Sequence, residues 1–396
     1  MRILTLFFVC IFIASPLAAQ VSGFGSFTSG YQRNPLLNFE NISDQVQQGY
    51  AEVGFESDYD YSTLDLRYVG GLTLFNTLSD RNYYEHSLRG VYDLRLHDED
   101  DSTEVDPADS TDNFFHVLIS VGARHDKKVF REFDNNGISS QLAYRLLLAD
   151  YYFARWTLTT GVRSYRFERA ITNYTAAAGV EIGTQYKGSV QFGVILTGGL
   201  MHYPKAVYDT ARFEESSTFD TTVFPSEKIL LPRPTSNSSY QLTAGIYGTL
   251  SWEGGSARID ALYRRNFDYG IHFLVYNLST TRLNEEIYND SYSYEGPDVS
   301  VSIQQRLPFA IQSAWSVEVG MRSFAVPGMD LKGNTIAPTR KELNSGIELL
   351  LSRSLPLFGY SGIEISLDAA YVRNQSNDVY NDCSNWSVMG GVGVSF

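Results

Sequence analysis

The chain has little cysteine, lysine or proline, and beyond its N-terminus it has no long apolar run. Cys10 and Cys383 are its two cysteines, and only Cys383 lies outside the first twenty residues. An intramolecular disulfide in a processed chain is thereby excluded, as are thiolate sets for zinc or iron–sulfur clusters. Twelve prolines and a 43% hydrophobic content rule out a disordered chain. No stretch of about eighteen apolar residues follows residue 20, so a transmembrane helix is not expected. Bases are outnumbered 45 to 31, a net charge of −14, and the basic footprint of a nucleic-acid binder is missing. What the chain does have is aromatic residues (27 Tyr and 24 Phe) and 32 glycines in 396 residues.

Residues 1–19 read as a secretory signal peptide. Arg2 is followed by the uncharged apolar stretch Ile3 to Ala14, then by the small-residue exit Leu17-Ala18-Ala19, with Gln20 as the expected mature start. Val9 stands before Cys10 where lipoprotein processing requires a small residue. Removing this segment leaves 45 acids against 30 bases, a net −15. An exported chain without helical spans is periplasmic, secreted or an outer-membrane barrel.

Alternation with period two runs through nearly all of the chain from Gly49, the pattern of half-apolar strands. Val190, Phe192, Val194 and Leu196 oppose Gln191, Gly193 and Thr197. Tyr240, Leu242, Ala244, Ile246, Leu250 and Trp252 oppose Gln241, Thr243, Gly245, Thr249 and Ser251. Trp315, Val317, Val319 and Met321 oppose Ser316, Glu318, Gly320 and Arg322. These runs are about 10–16 residues long, where soluble strands have about 5–6. Short turns alternate with long polar loops, and aromatics gather near strand ends at Tyr83/Tyr84, Tyr151/Tyr152/Phe153, Trp252, Phe358/Tyr360 and Trp386. The last of these features suits interfacial girdles.

At the C-terminus Trp386, Val388, Val392, Val394 and Phe396 share one parity. With this strand, the general alternation and the N-terminal signal, the sequence resembles bacterial outer-membrane β-barrel proteins. The resemblance implies that Trp386, Val392, Val394 and Phe396 form an assembly signal. It also implies two partners, the outer-membrane lipid and the barrel-assembly machinery. The fold expected is all-β: a single transmembrane antiparallel meander β-barrel of about 14–16 strands, spanning 44–396.

Fifteen strands are legible, near 44–57, 62–76, 82–97, 113–127, 138–149, 155–167, 172–186, 188–203, 238–252, 256–270, 294–306, 310–326, 341–354, 359–375 and 384–396. A single-chain bacterial barrel needs an even number. Walking back from Phe396 also puts acidic 98–112 among the short turns, which suggests one misplaced strand. Either 21–32 adds a sixteenth, or 138–167 holds one fewer. Residues 20–43 as a whole are a periplasmic arm, a plug segment or a first strand.

If the apolar parity faces lipid, the other lines a lumen. The candidate lumen-lining charges are Asp65, Arg67, Arg145, Arg163, Glu181, Arg258, Asp260, Arg264, Glu318, Arg322, Glu348, Glu364 and Asp368, with Glu52, Glu56, Glu85, Arg89, Asp93, Arg95, Arg124 and Arg353 on the same face. Arginine dominates the strands while the seven lysines lie mostly in turns, which suits bidentate pairing with carboxylates in a confined space. Such charges either filter solutes or stiffen the wall.

Other features are weaker. Segment 98–112 is dense in carboxylates but lacks EF-hand spacing, so a solvated acidic loop is favoured over a Ca²⁺ site. Loop 204–237 folds inward as a constriction or caps the exterior. His125-Asp126 near a rim is the one pairing worth testing for catalysis. Gly390-Gly391-Val392-Gly393 lies inside a strand and is no phosphate loop. No catalytic residue, metal site or cofactor is assigned. The function expected is a porin-like channel or transporter passing small polar or amphipathic solutes by diffusion, with a structural or interaction barrel for secretion, envelope anchoring or surface attachment as the alternative.

Overall fold

The computed structural model describes residues 19–35, 41–59, 61–96, 113–149, 151–167, 172–184, 190–204, 238–268, 292, 294–324, 328–330, 335–356 and 362–396. The signal segment 1–18, acidic 98–112 and loop residues 205–237 lie outside the described residues.

The strands are β1 (Ala19–Gln32), β2 (Asp44–Tyr59), β3 (Ser62–Phe75), β4 (Tyr83–Leu96), β5 (Asn113–Asp126), β6 (Asn135–Ala149), β7 (Tyr152–Tyr165), β8 (Asn173–Thr184), β9 (Val190–His202), β10 (Ser238–Trp252), β11 (Gly255–Asp268), β12 (Tyr294–Leu307), β13 (Ile311–Phe324), β14 (Gly328–Met329), β15 (Thr335–Ala337), β16 (Arg340–Pro356), β17 (Gly362–Ser376) and β18 (Cys383–Ser395). All but β14 and β15, a small separate hairpin, form one closed antiparallel barrel of sixteen strands, each paired with its sequence neighbours and β1 with β18. A closed ring leaves no unpaired strand edge, the condition for a sheet to stand in hydrocarbon.

β1 is the sixteenth strand, and 138–167 does hold two, β6 and β7. No strand was misplaced. Leu96 of β4 lies opposite Asn113 of β5, so segment 97–112 joins adjacent strands at the short-turn end. The even count is met with that acidic connection in place.

The apolar parity faces outward. Phe192, Val194 and Ile246 are 57–60% exposed, and a continuous apolar surface of this kind is incompatible with water. Trp386 of β18 and Phe396, the residue after that strand, stand ten residues apart on that face. This spacing corresponds to about 34 Å along the strand and about 26 Å along the barrel axis at a tilt near 40°, close to the roughly 25 Å apolar band of outer-membrane barrels. Trp156 stacks on Tyr144 toward the short-turn end, with ring centroids 5.9 Å apart, and Tyr31 meets Trp386 at 5.2 Å toward the long-loop end. Not every strand-end aromatic joins these girdles. Tyr83 and Phe153 have the inward parity, under Arg124 at 3.8 Å and Arg145 at 4.3 Å. Phe358 and Tyr360 lie outside the described residues.

The seam between first and last strands is a close fit. Gly23 and Phe396 exchange backbone hydrogen bonds of 2.8 and 2.9 Å. The Phe396 ring occupies the space a Cβ on residue 23 would need, with its nearest carbon only 2.2 Å from that position. With the Phe396 ring in this position, glycine is the residue that fits at position 23.

Candidate functional site: the charged lumen

Pairing register places the inward charges in distinct groups. On β2 and β3 the Arg67 guanidinium bridges Glu52 at 2.9 Å and Asp65 at 2.7 Å. On β4 and β5, His116 Nδ1 lies 2.6 Å from Asp93. Arg163 on β7 faces Gly137 of β6 and Asn173 of β8.

A longer chain of contacts joins residues of four strands, β7, β8, β10 and β11, and passes over β9. Arg155 of β7 pairs with Glu181 of β8 at 2.5 Å. The Tyr247 hydroxyl of β10 donates to the same carboxylate at 2.6 Å. Arg258 of β11 lies over the Tyr247 ring at 4.5 Å and holds Asp260 through two guanidinium nitrogens at 2.7–3.1 Å. β9 lies between β8 and β10, and Tyr247 crosses it because residue 193 is glycine: a Cβ there would meet the ring at 2.6 Å.

Toward the long-loop end, Arg264 binds the Tyr294 hydroxyl at 2.6 Å and also reaches Asp298. Arg322 lies over the same Tyr294 ring, 4.9 Å from its centroid. Arg340 covers Phe324 at 3.7 Å and contacts Glu342 at 3.1 Å. Tyr294 and Phe324 are buried together there, with centroids 5.6 Å apart.

Four of the expected carboxylates, all on β13, β16 and β17, stand outside these groups. Glu318 (β13), Glu348 (β16), Glu364 and Asp368 (β17) make no ion pair among the described residues; Glu348 receives only the Ser316 hydroxyl at 3.5 Å. In the ring of sixteen, β13, β16 and β17 are eight places from β5, β6 and β7. The strands carrying Glu348, Glu364 and Asp368 are therefore opposite β6 and β7, which carry Arg145, Arg155 and Arg163, and the strand of Glu318 is opposite β5. Arg145 itself stacks on Phe153 and, at 5.7 Å, on Phe114, and pairs with no carboxylate among the described residues. The interior is thus electrostatically uneven: carboxylates without ion pairs among the described residues gather on β13, β16 and β17, beside the paired or ring-stacked Arg322 and Arg340, and arginines gather on the opposite β6 and β7.

On the arginine side, small residues hollow the wall toward the long-loop end. Gly122, Gly137, Gly161, Ser120 and Ser139 leave a recess of about 690 Å³, bordered by Glu85, Arg124, Arg163, Asn135, Asn173 and Tyr203.

Two readings of the sequence need correction. Arg353 pairs in register with Ile311 and Ile365, outward positions, so it lies on the exterior parity near the short-turn rim and not in the lumen. His125 and Asp126 are successive residues of β5 and point to opposite faces. Asp126 turns inward to Arg124 at 3.1 Å, while the His125 ring lies outside, tilted against Tyr84 with centroids 4.9 Å apart. They cannot act as one catalytic pair. Residues missed by sequence reasoning include Arg155, Tyr247, Asp298, Tyr294, Arg340 and Glu342. Each shares the inward parity of its strand, so the same alternation carried the signal. Of the residues expected to form an assembly signal, Trp386, Val392 and Val394 face outward and Phe396 closes on Gly23.

A closed, even-stranded meander with an apolar belt, aromatic girdles and a charged interior defines an outer-membrane β-barrel. At sixteen strands the bore is too wide for wall side chains alone to fill it. No protein-family model and no curated protein matches the sequence. Among solved structures, the chain is similar over 95% of its length to Pseudomonas aeruginosa OpdK with vanillate, covering 99% of that chain at 10% identity with a TM-score of 0.45. It is similar to Acinetobacter baumannii OccAB1 over 95% of this chain and 97% of that one, at 12% identity and a TM-score of 0.43. CdiB from Acinetobacter baumannii matches over 95% of this chain and 60% of its own, at 12% identity and a TM-score of 0.46. These likenesses extend to barrel architecture alone.

Proposed function

We propose that the barrel is a porin-like channel that passes small polar or amphipathic solutes by passive diffusion. The observation that carries this reading is the uneven charge of the lumen. Unpaired carboxylates on β13, β16 and β17 facing arginines on β5, β6 and β7 set up a field across the bore. That field orients a dipolar solute and substitutes for part of its hydration as it passes. A wall that served only as scaffold would gain nothing from leaving Glu318, Glu348, Glu364 and Asp368 without cations, since close carboxylates repel. The recess beside Arg163 offers a resting place for a solute of a few hundred Å³, with amide, hydroxyl and guanidinium groups to hold it. Because Glu318, Glu348, Glu364 and Asp368 carry no ion pair among the described residues, cations are expected to pass in preference to anions.

The test is single-channel conductance of the refolded chain in a planar bilayer, with the reversal potential measured under a salt gradient. Steady ohmic openings with cation preference are expected. A folded, inserted barrel that stays silent would overturn the channel reading in favour of a structural or interaction barrel.

A further inference from the structure

The outer face of the barrel has an interruption in its apolar belt that the lumen reading leaves unused. Outward parity brings Tyr84 and His86 of β4 beside His125 of β5. Tyr84 and His125 are direct cross-strand partners. Their ring centroids are 4.9 Å apart, and His86 lies 5.7 Å from His125. On the belt side of these rings the exterior is apolar, with Leu72 opposite Tyr84 and with Val121 and Ile138 exposed below. On the rim side the chain leaves β5 through Lys127 and Lys128, both exposed. The side chains of His86, His125, Lys127 and Lys128 make no hydrogen bond or ion pair with the described residues. The nearest carboxylate in sequence, Asp126, is turned inward and held by Arg124. Exposed Asp80 lies on the neighbouring rim connection.

We infer that this patch binds the phosphate of an outer-leaflet lipid headgroup. Three features favour that occupant. The rings sit where the apolar belt gives way to the rim, the height of a headgroup. The patch concentrates cationic and imidazole N–H donors on a chain of net charge −14, so it is complementary to an anion where most of the protein is not. The apolar surface below is continuous with it and accepts the acyl chains of the same molecule. Phosphate oxygens take charge-assisted hydrogen bonds from ammonium and imidazole groups, and Tyr84 adds an amphipathic ring of the kind that prefers this depth. The site works from outside the barrel and does not depend on whether the lumen conducts.

The experiment uses the folded full chain in detergent. Native mass spectrometry counts retained lipid after addition of diphosphoryl lipid A, of a phosphate-free glycolipid of equal acyl content, or of diphosphoryl lipid A with millimolar inorganic phosphate. The quadruple variant His86→Asn, His125→Asn, Lys127→Gln, Lys128→Gln is compared with the parent. Should it fail to fold, the loop pair Lys127→Gln, Lys128→Gln takes its place. One strongly held lipid A is expected on the parent, bound roughly tenfold more weakly by the variant as several charge-assisted contacts are lost. It should be retained in inorganic phosphate and not replaced by the phosphate-free lipid. Equal binding by parent and variant, equal retention of the phosphate-free lipid, or displacement by inorganic phosphate would each overturn the assignment.

Discussion

At the scale of single residues, the lumen wall depends on contacts that cross strands through missing side chains. Tyr247 reaches Glu181 because Gly193 lets its ring lie flat on β9. Replacing Tyr247 with Phe deletes one hydrogen bond to a carboxylate, at a cost of about 1.5–3 kcal/mol. It leaves the ring under Arg258 in place. Gly193→Val displaces the ring itself and separates Arg258 from its support, so its loss is expected to be larger. Urea midpoints of the refolded barrel, measured by tryptophan fluorescence, should rank parent above Tyr247→Phe and that above Gly193→Val. The reverse order would mean that the hydroxyl contact to Glu181 matters more than the glycine notch.

Strands and their connections are governed by register and by how each end is tied. Asp44, at the long-loop end of β2, is buried and accepts the backbone N–H groups of Thr77 and Leu78 at 2.7–3.0 Å. It pins the β3–β4 connection to the preceding strand. Asp44→Ala leaves those N–H groups unsatisfied and should cost about 1–3 kcal/mol, with faster hydrogen exchange confined to residues 76–82. The β1–β18 seam gives the sharper case. Gly23→Leu places a side chain where Phe396 sits and should lower the yield of closed barrel, read as loss of the heat-modifiable gel band. Gly198→Leu is the matched control: it lies on the outward face of β9 with nothing within 4 Å of its Cβ position, and its yield should equal the parent's. Equal yields for both would show that the seam closes without the Phe396 contact.

The whole molecule separates its charges by sector. Neutralising Glu318, Glu348 and Asp368 together as Gln, Gln and Asn removes most of the carboxylate wall and should shift the reversal potential toward anions. Arg145→Gln should shift it the other way. Each is read in the same salt-gradient bilayer experiment, and identical reversal potentials across parent and variants would show that these walls do not filter. Strand tilt and ring order, and not any single residue, set these groups opposite one another.

Much of this was legible in the chain alone, for a physical reason. A strand exposed to lipid on one face and to a polar interior on the other must alternate, so parity assigns nearly every side chain to a face before any pairing is known. The fifteen legible strands, the outward Val190–Leu196 and Trp315–Met321 rows, and the inward Arg258, Asp260 and Glu318 all follow from that rule. It was misapplied near a rim: Arg353, read as inward, keeps the outward parity of Ile347 with no break in register, and His125 and Asp126, read as a pair, alternate apart as any adjacent strand residues do. Irregular 20–43, with its glycines, left β1 as one of several alternatives because Gly23 and Gly30 are there to admit β18, a partner more than 350 residues away. Tertiary structure alone decided what depends on closing the ring. It fixed sixteen strands, the diametric opposition of β13, β16 and β17 to β5, β6 and β7, the Tyr247–Glu181 contact across β9, and the meeting of His86 with His125. Alternation is a local property of the chain, whereas distance across a barrel exists only once its first and last strands have met.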